Sequence, residues 1–301
     1  MKKILLSTTL LVATAGVAAA EVTLSGSGRF GLDYSENRAV ETQLNYRLRI
    51  NVNAKFEADN GVTYGGRIRF QQSNGSVAAA FSPAMLYVEA SGVRIEIGNV
   101  NTAYDSVALM YNPEIGFQER SFADPQGDYY GFSSGPYSAA EARRVGIYAA
   151  YSYSGVNLKA SYINPDQAMT NGTTETSIAA DYTMGQFTVA AAYADNAGGI
   201  DGNYLTFVGA AYQFSDAGAV GINYNDNGLN VGIGKTISLY GNYNINGVTV
   251  GGYVSDSDVD GNDTAYGIGA AYDLGGATLA GAIESGFDGN MRGDLGVRMS
   301  F

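Results

Sequence analysis

The stretch "YRLRINVNAKF", residues 46–56, decides the fold. Leu48, Ile50, Val52, Ala54 and Phe56 occupy one parity; Arg47, Arg49, Asn51, Asn53 and Lys55 occupy the other. Successive side chains of an extended strand point to opposite faces. This strand therefore has one apolar face and one strongly hydrophilic face, and each needs a medium that suits it. The same period of two recurs along the chain. Val22, Leu24, Phe30, Leu32 and Tyr34 oppose Thr23, Ser25, Ser27, Arg29 and Asp33. Val156, Leu158, Ala160 and Tyr162 oppose Asn157, Lys159 and Ser161, and Leu295, Val297, Met299 and Phe301 oppose Arg298 and Ser300. No sustained helical period follows residue 20, so the chain is all-β.

Sixteen strands are expected, at 21–34, 44–57, 62–73, 82–90, 93–100, 144–153, 156–163, 177–183, 186–194, 203–214, 219–225, 236–244, 247–255, 264–273, 276–285 and 292–301. Their connections alternate in length. Short ones such as "ADNG" (58–61), "SG" (91–92), "SG" (154–155) and "NING" (244–247) are hairpin turns. The others, near 35–43, 74–81, 101–143, 164–176, 195–202, 226–235, 256–263 and 286–291, are longer. A soluble sandwich and a membrane barrel both bury one strand face, so alternation alone does not separate them. Short turns at one end and elaborated loops at the other are the mark of a transmembrane barrel. An even strand count returns the chain to the end where it began, which allows first and last strands to pair. Lipid tolerates no open sheet edge, so the barrel must close. The apolar parity then faces hydrocarbon, the arginine parity faces water inside, and sixteen strands enclose an aqueous lumen. Phe56, Phe187, Tyr193 and Phe214, on the apolar parity near strand ends, fit the aromatic girdles at the membrane interfaces.

Composition narrows the function. Residues 1–20 read as a signal peptide: Lys2 and Lys3, an apolar run, and alanines before Glu21. Residues 21–301 form the barrel. There is no histidine and no cysteine, which removes the usual zinc sites, Ser-His-Asp triads and Cys-His pairs. An outer-membrane lipase or protease would want a histidine base, so the chain does not read as an enzyme. Acidic residues outnumber basic ones, 29 to 17, which argues against nucleic acid and suggests a mild preference for cations. Basic residues crowd the first three strands, where Arg29, Arg47, Arg49, Arg67 and Arg69 share the hydrophilic parity and could form one patch. No cofactor is expected. "DSDVDGND" (256–263) imitates the start of an EF-hand but has Gly267 where the closing glutamate belongs; at most it could hold a divalent cation such as calcium loosely.

Residues 101–143 form one long insertion that is rich in aromatics and acids, and loops of this length are usually functional. "GSGRFGLDY" (26–34), "YRLRINVNA" (46–54), "GNVNTAYDSVALMYNPEIGF" (98–117), "GVNLKASYINPDQ" (155–167), "TAYGIGAAYDLGG" (264–276) and "LGVRMSF" (295–301) resemble the general porins of the Gram-negative outer membrane. The likeness is greatest to the Rhodobacter and Rhodopseudomonas type. It implies a sixteen-stranded barrel, a homotrimer, and a third long loop folded into the lumen as a constriction. Passive diffusion of ions and small hydrophilic solutes is the implied function. In that family acidic loop residues face an arginine cluster on the wall, which implies Glu114, Glu119, Asp124 and Asp128 as the facing carboxylates. "NPEIG" is similar to the enterobacterial loop motif Pro-Glu-Phe-Gly-Gly-Asp, with Glu119 substituting for its missing aspartate. Phe301 resembles the C-terminal signal read by the outer-membrane assembly machinery, and lipopolysaccharide is an implied neighbour. A substrate-specific channel, for a sugar or other nutrient, is the alternative; "GDYYGF" (127–132) would supply its aromatic track.

Overall fold

Alternating segments of this kind pair edge to edge until no edge is left. The computed structural model describes residues 20–76, 79–169 and 172–301; apart from Ala20, the expected signal peptide lies outside the described residues. The strands are β1 (Glu21–Ser35), β2 (Thr42–Glu57), β3 (Thr63–Ser73), β4 (in two pieces, Ala80–Phe81 and Met85–Ala90), β5 (Val93–Gly98), β6 (Val145–Tyr153), β7 (Val156–Asn164) and β8 (Glu175–Met184). They continue with β9 (Phe187–Asp195), β10 (Leu205–Ser215), β11 (Gly218–Asp226), β12 (Lys235–Ile245), β13 (Val248–Ser257), β14 (Ala265–Asp273), β15 (Ala277–Ser285) and β16 (Met291–Ser300). Each pairs antiparallel with its sequence neighbours, and β1 also pairs with β16, so the sheet closes. The expected sixteen-stranded barrel is what forms.

Closure runs to the last residue. Phe301 exchanges both backbone hydrogen bonds with Gly26, at 2.6 and 3.0 Å. A Cβ at residue 26 would lie 2.6 Å from the Phe301 ring, so glycine is what lets that ring lie over β1.

One expected strand, 82–90, differs. It starts earlier and is interrupted at 82–84, because Pro83 has no N–H to give to the ladder. Ser82 bridges the gap. Its N–H donates to the Arg69 carbonyl at 2.7 Å, and its hydroxyl accepts the Arg69 N–H at 2.9 Å. The seven short connections are tight turns. Ser91-Gly92, Ser154-Gly155 and Asn246-Gly247 have positive φ at both positions, as two-residue type I′ hairpins demand.

The faces are inverted relative to a soluble domain. On β8, Ile178 is 62% exposed and Glu175 is 0% exposed. Large aliphatic side chains such as Leu24, Leu239 and Ile268 point outward along the whole barrel. The girdle residues stack across strands: Phe56 on Tyr64 at 5.1 Å, Phe187 on Tyr212 at 4.6 Å and Phe214 on Tyr243 at 6.0 Å at the short-turn end. Tyr193 stacks on Tyr204 at 6.4 Å at the long-loop end. The buried apolar core lies inside, where the segment between β5 and β6 packs against the wall. Tyr104, Leu109 and Met110 meet Leu205, Phe207 and the alanines of β9; Ile115 and Ala123 meet Tyr240, Tyr253 and Ala282.

Candidate channel constriction

The loop leaves β5 at Gly98, lines the interior past β8–β15, and turns at 115–120. There Ile115 and Arg120 exchange backbone hydrogen bonds at 3.1 and 3.3 Å. It then returns along the same wall to β6. The turn reaches the wall of β16 and β1, where Arg298 and Arg29 bond to it.

Register builds that region. Arg29 is the direct cross-strand partner of Arg298 on one side and Arg47 on the other, so three guanidinium groups form a row across β16, β1 and β2. Arg49 lies one step along β2, and Arg67 and Arg69 continue on β3 opposite Asn53 and Asn51. Like charges directly opposite each other in a sheet repel. The loop tip supplies the compensation. Arg29 donates to the Gln118 carbonyl. Arg298 donates to the Gly116 carbonyl at 3.3 Å and pairs with Glu119 at 2.8 Å. Arg29, Arg47, Arg298 and Glu119 line a cavity of about 450 Å³.

The remaining arginines are more occupied. Arg49 donates to the Gln71 side chain. Arg69 donates to Asn51 at 2.9 Å and to Ser134 at 2.7 Å. Arg67 and Arg69 both lie over the Phe132 ring, at 4.1 and 4.7 Å, holding the returning arm of the loop by cation–π contact.

The four loop acids separate into three environments. Glu119 is half exposed at the tip beside the arginine row, with a left-handed φ of 52°. Glu114 sits just inside the tip; burial pushes its carboxyl up to about 8, with Asp124 and Glu119 adding to the rise and Arg29 and Arg298 opposing it. Asp124 is largely buried beside Arg292 and Glu284. It accepts the Ser121 N–H at 3.1 Å, and burial raises it to about 7 despite that bond and the charge of Arg292. Asp128 lies exposed near Gly198, its carbonyl accepting from Asn203 at 3.1 Å, and makes no ion pair among the described residues. The tip thus brings Glu119 and Glu114 to the arginines and leaves Asp124 and Asp128 elsewhere. Packing of the return arm causes this, since its backbone is held to β11 and to the β9–β10 loop.

Three contributors are invisible to local reading. Arg298 joins the row only because first and last strands pair; its place on the hydrophilic parity of "LGVRMSF" was the available clue. Arg120 anchors the tip, reaching Asp33 at 3.0 Å, Glu284 at 3.4 Å and Asp294 at 3.8 Å. Phe132 acts through its cation–π contacts. The aromatics of "GDYYGF" do not form an open track: Tyr129 bonds to Tyr111 at 2.8 Å, Tyr130 lies under Arg144 at 4.1 Å, and Phe132 lies under Arg67. No group of three or more acidic side chains is placed to hold a metal among the described residues. In the acidic 256–263 loop, Asp258 instead accepts the Lys235 N–H at 2.7 Å.

A family model described as Gram-negative porin matches residues 7–283. The chain belongs to that family. This porin is 45% identical over 291 residues to a porin of Fuscovulum blasticum, an alignment covering 93% of this chain and 100% of that one. It is 27% identical over 323 residues to a porin of Rhodobacter capsulatus, with the same coverage. A solved structure of a mutant of Rh. blastica porin matches with a TM-score of 0.91 at 45% identity, over 93% of this chain and 100% of that one. A second mutant of the same protein gives 0.91 at 44% identity with the same coverage. The porin is therefore an outer-membrane protein whose barrel encloses a water-filled channel for passive diffusion of ions and small hydrophilic solutes.

Proposed function

We propose that the porin sorts solutes at a charged neck, formed by Arg29, Arg47 and Arg298 with Arg49, Arg67 and Arg69 beside them, facing Glu119 and Glu114. The observation that carries this reading is the shared cavity in which the arginine row and Glu119 meet. Charges of opposite sign on two sides of a narrow aqueous neck set up a transverse field. Water dipoles align along it, so an apolar solute must disrupt ordered water while an ion or small polar solute exchanges one polar environment for another. Diameter and lining charge together then set selectivity. The packed state of the loop aromatics favours this general channel over a sugar-specific one. The reading assigns no chemical step to the barrel.

A bilayer recording in a salt gradient at varied pH tests it. Glu114 gains its charge as pH rises through about 8. That adds a negative charge beside the arginine row, so the cation-to-anion permeability ratio should rise across this interval. A unit charge at 4 Å is worth about 1 kcal/mol in bulk-like water, roughly fivefold for either ion, in favour of the cation and against the anion. Glu114→Gln should flatten the rise. A wild-type ratio that stays constant from neutral to alkaline pH would remove Glu114 from the neck.

The reading extends to a homotrimer in contact with lipopolysaccharide, delivered by the outer-membrane assembly machinery through Phe301. Deleting Phe301 should sharply lower the yield of heat-modifiable, detergent-resistant barrel in the outer membrane. A normal yield would reduce Phe301 to a lipid-facing end residue.

A further inference from the structure

The loop is also held at a point remote from its charged tip. β11 presents Asn223 and Asn225 on its inner parity, and Asn227 follows just beyond its end; all three are 0% exposed. Asn223 donates its amide to the Leu109 carbonyl on the outgoing arm at 2.9 Å. Asn225 donates to the Ala123 carbonyl on the returning arm at 3.2 Å. Asn227 accepts the Gln126 N–H at 2.7 Å. Strand β11 satisfies its own backbone through β10 and β12, which leaves the side-chain amides of Asn223 and Asn225 to the loop; that of Asn227 donates to the Gly234 carbonyl at 2.8 Å while its oxygen takes the Gln126 N–H. The bond to Leu109 falls where the backbone needs holding, because Leu109 has a left-handed φ of 71° that leucine rarely adopts.

We infer that Asn223, Asn225 and Asn227 are positioning residues that pinch the two arms of the loop together on β11, and so set where its charged tip stands in the lumen. This rests on the reading of the loop as the constriction. The residue type fits the task. A charged group fully buried here would need its own counter-charge, whereas Asn223 and Asn225 each spend one donor on a carbonyl, and Asn227 accepts one N–H, with no charge to bury. The tip, residues 110–122, is then tethered at two ends by different forces. Amides that salt does not screen hold its base, and ion pairs on β16, β1 and β15 hold its end.

Single-channel recording in a salt gradient, with the full chain, separates pinch from field. Asn223→Ala with Asn225→Ala should raise open-channel current noise several-fold and add brief closures. The reversal potential should keep its wild-type sign, because no charge has changed. Replacing Arg29, Arg47 and Arg298 with glutamine should do the reverse, moving the reversal potential while the current stays quiet. Asn225→Asp keeps the side-chain volume and guards against a variant that fails to assemble. In its acid form that side chain can still donate to the Ala123 carbonyl; once ionised it repels it. The Asn225→Asp channel should therefore be as quiet as wild type at low pH and noisy at high pH, each compared with wild type at the same pH. Asparagine variants that stay quiet at every pH would overturn the pinch and leave the charged neck standing. Noisy asparagine variants beside arginine variants with an unmoved reversal potential would keep the pinch and overturn the neck.

Discussion

Replacing Arg29, Arg47 and Arg298 together with glutamine should raise the cation-to-anion permeability ratio about tenfold or more at 0.1 M salt. The three guanidinium groups form one cross-strand row at the cavity that Glu119 shares. Each removed charge is worth about 1 kcal/mol to an ion passing at 4 Å in bulk-like water, and more where the lumen is less polarisable. Three such increments approach 3 kcal/mol, and each 1.4 kcal/mol is tenfold. Screening over a length of about 10 Å at this salt concentration takes back part of the gain. Glutamine retains a donor for the Gln118 and Gly116 carbonyls, so the tip keeps its neutral anchors. Stability should not fall, since two like-charge cross-strand pairs are relieved while only the half-exposed Glu119 pair is lost. Arg67→Gln with Arg69→Gln makes the contrast. Those two side chains are committed to Phe132, Asn51 and Ser134. Their loss should loosen the returning arm and move selectivity less. Equal shifts from the two sets would mean that the field is spread along the wall and not concentrated at the row.

That contrast also marks how far the sequence could be read. Strand parity is a local property: each "apolar, polar" step in Leu48 to Phe56 fixes a side-chain direction without reference to any other strand. The five arginines of β1–β3 therefore project as expected, and the alternating connection lengths reveal which end bears the loops. Closure adds what parity cannot. Arg298 becomes a neighbour of Arg29 only when residue 301 meets residue 26. The path of the loop lay further from view, because the wall, and not the loop, dictates it. Ile115 seats where a Cβ at Gly267 or Gly269 would lie 2.8 or 2.9 Å from it, so glycines some 150 positions downstream in the chain leave the room for the tip. Four acids in one segment look equivalent in sequence. Asp124 turns to its own Ser121 N–H and Asp128 stays by the β9–β10 loop, for reasons that lie on β11 and in that loop.

Arg120→Ala should release the tip, destabilise the barrel by roughly 3 kcal/mol and lower the mean conductance. The figure is the lower end for breaking a buried pair, because the Arg120 side chain is 23% exposed. The cost falls unevenly on its three partners. Asp33 keeps Arg38 at 2.8 Å. Glu284 keeps Arg292 through two bonds, at 3.0 and 2.8 Å, and the Tyr253 hydroxyl at 2.7 Å. Asp294 keeps the Phe117 N–H at 2.8 Å, and its other oxygen is buried with no hydrogen-bond partner. Without Arg120 that carboxylate loses the ion pair that offsets its burial, and the bond lost to relieve it is the one that fixes the tip. A tip detached from β16 moves into the cavity it now borders, which is why conductance should fall. Asp294→Asn in the Arg120→Ala background should then recover much of the lost stability, since an amide can accept from Phe117 without a charge to bury. A thermal melt followed by circular dichroism completes this double-mutant cycle. If the two substitutions simply add, Asp294 is not where the charge of Arg120 is spent, and the anchoring of the tip must be reassigned to Asp33 and Glu284.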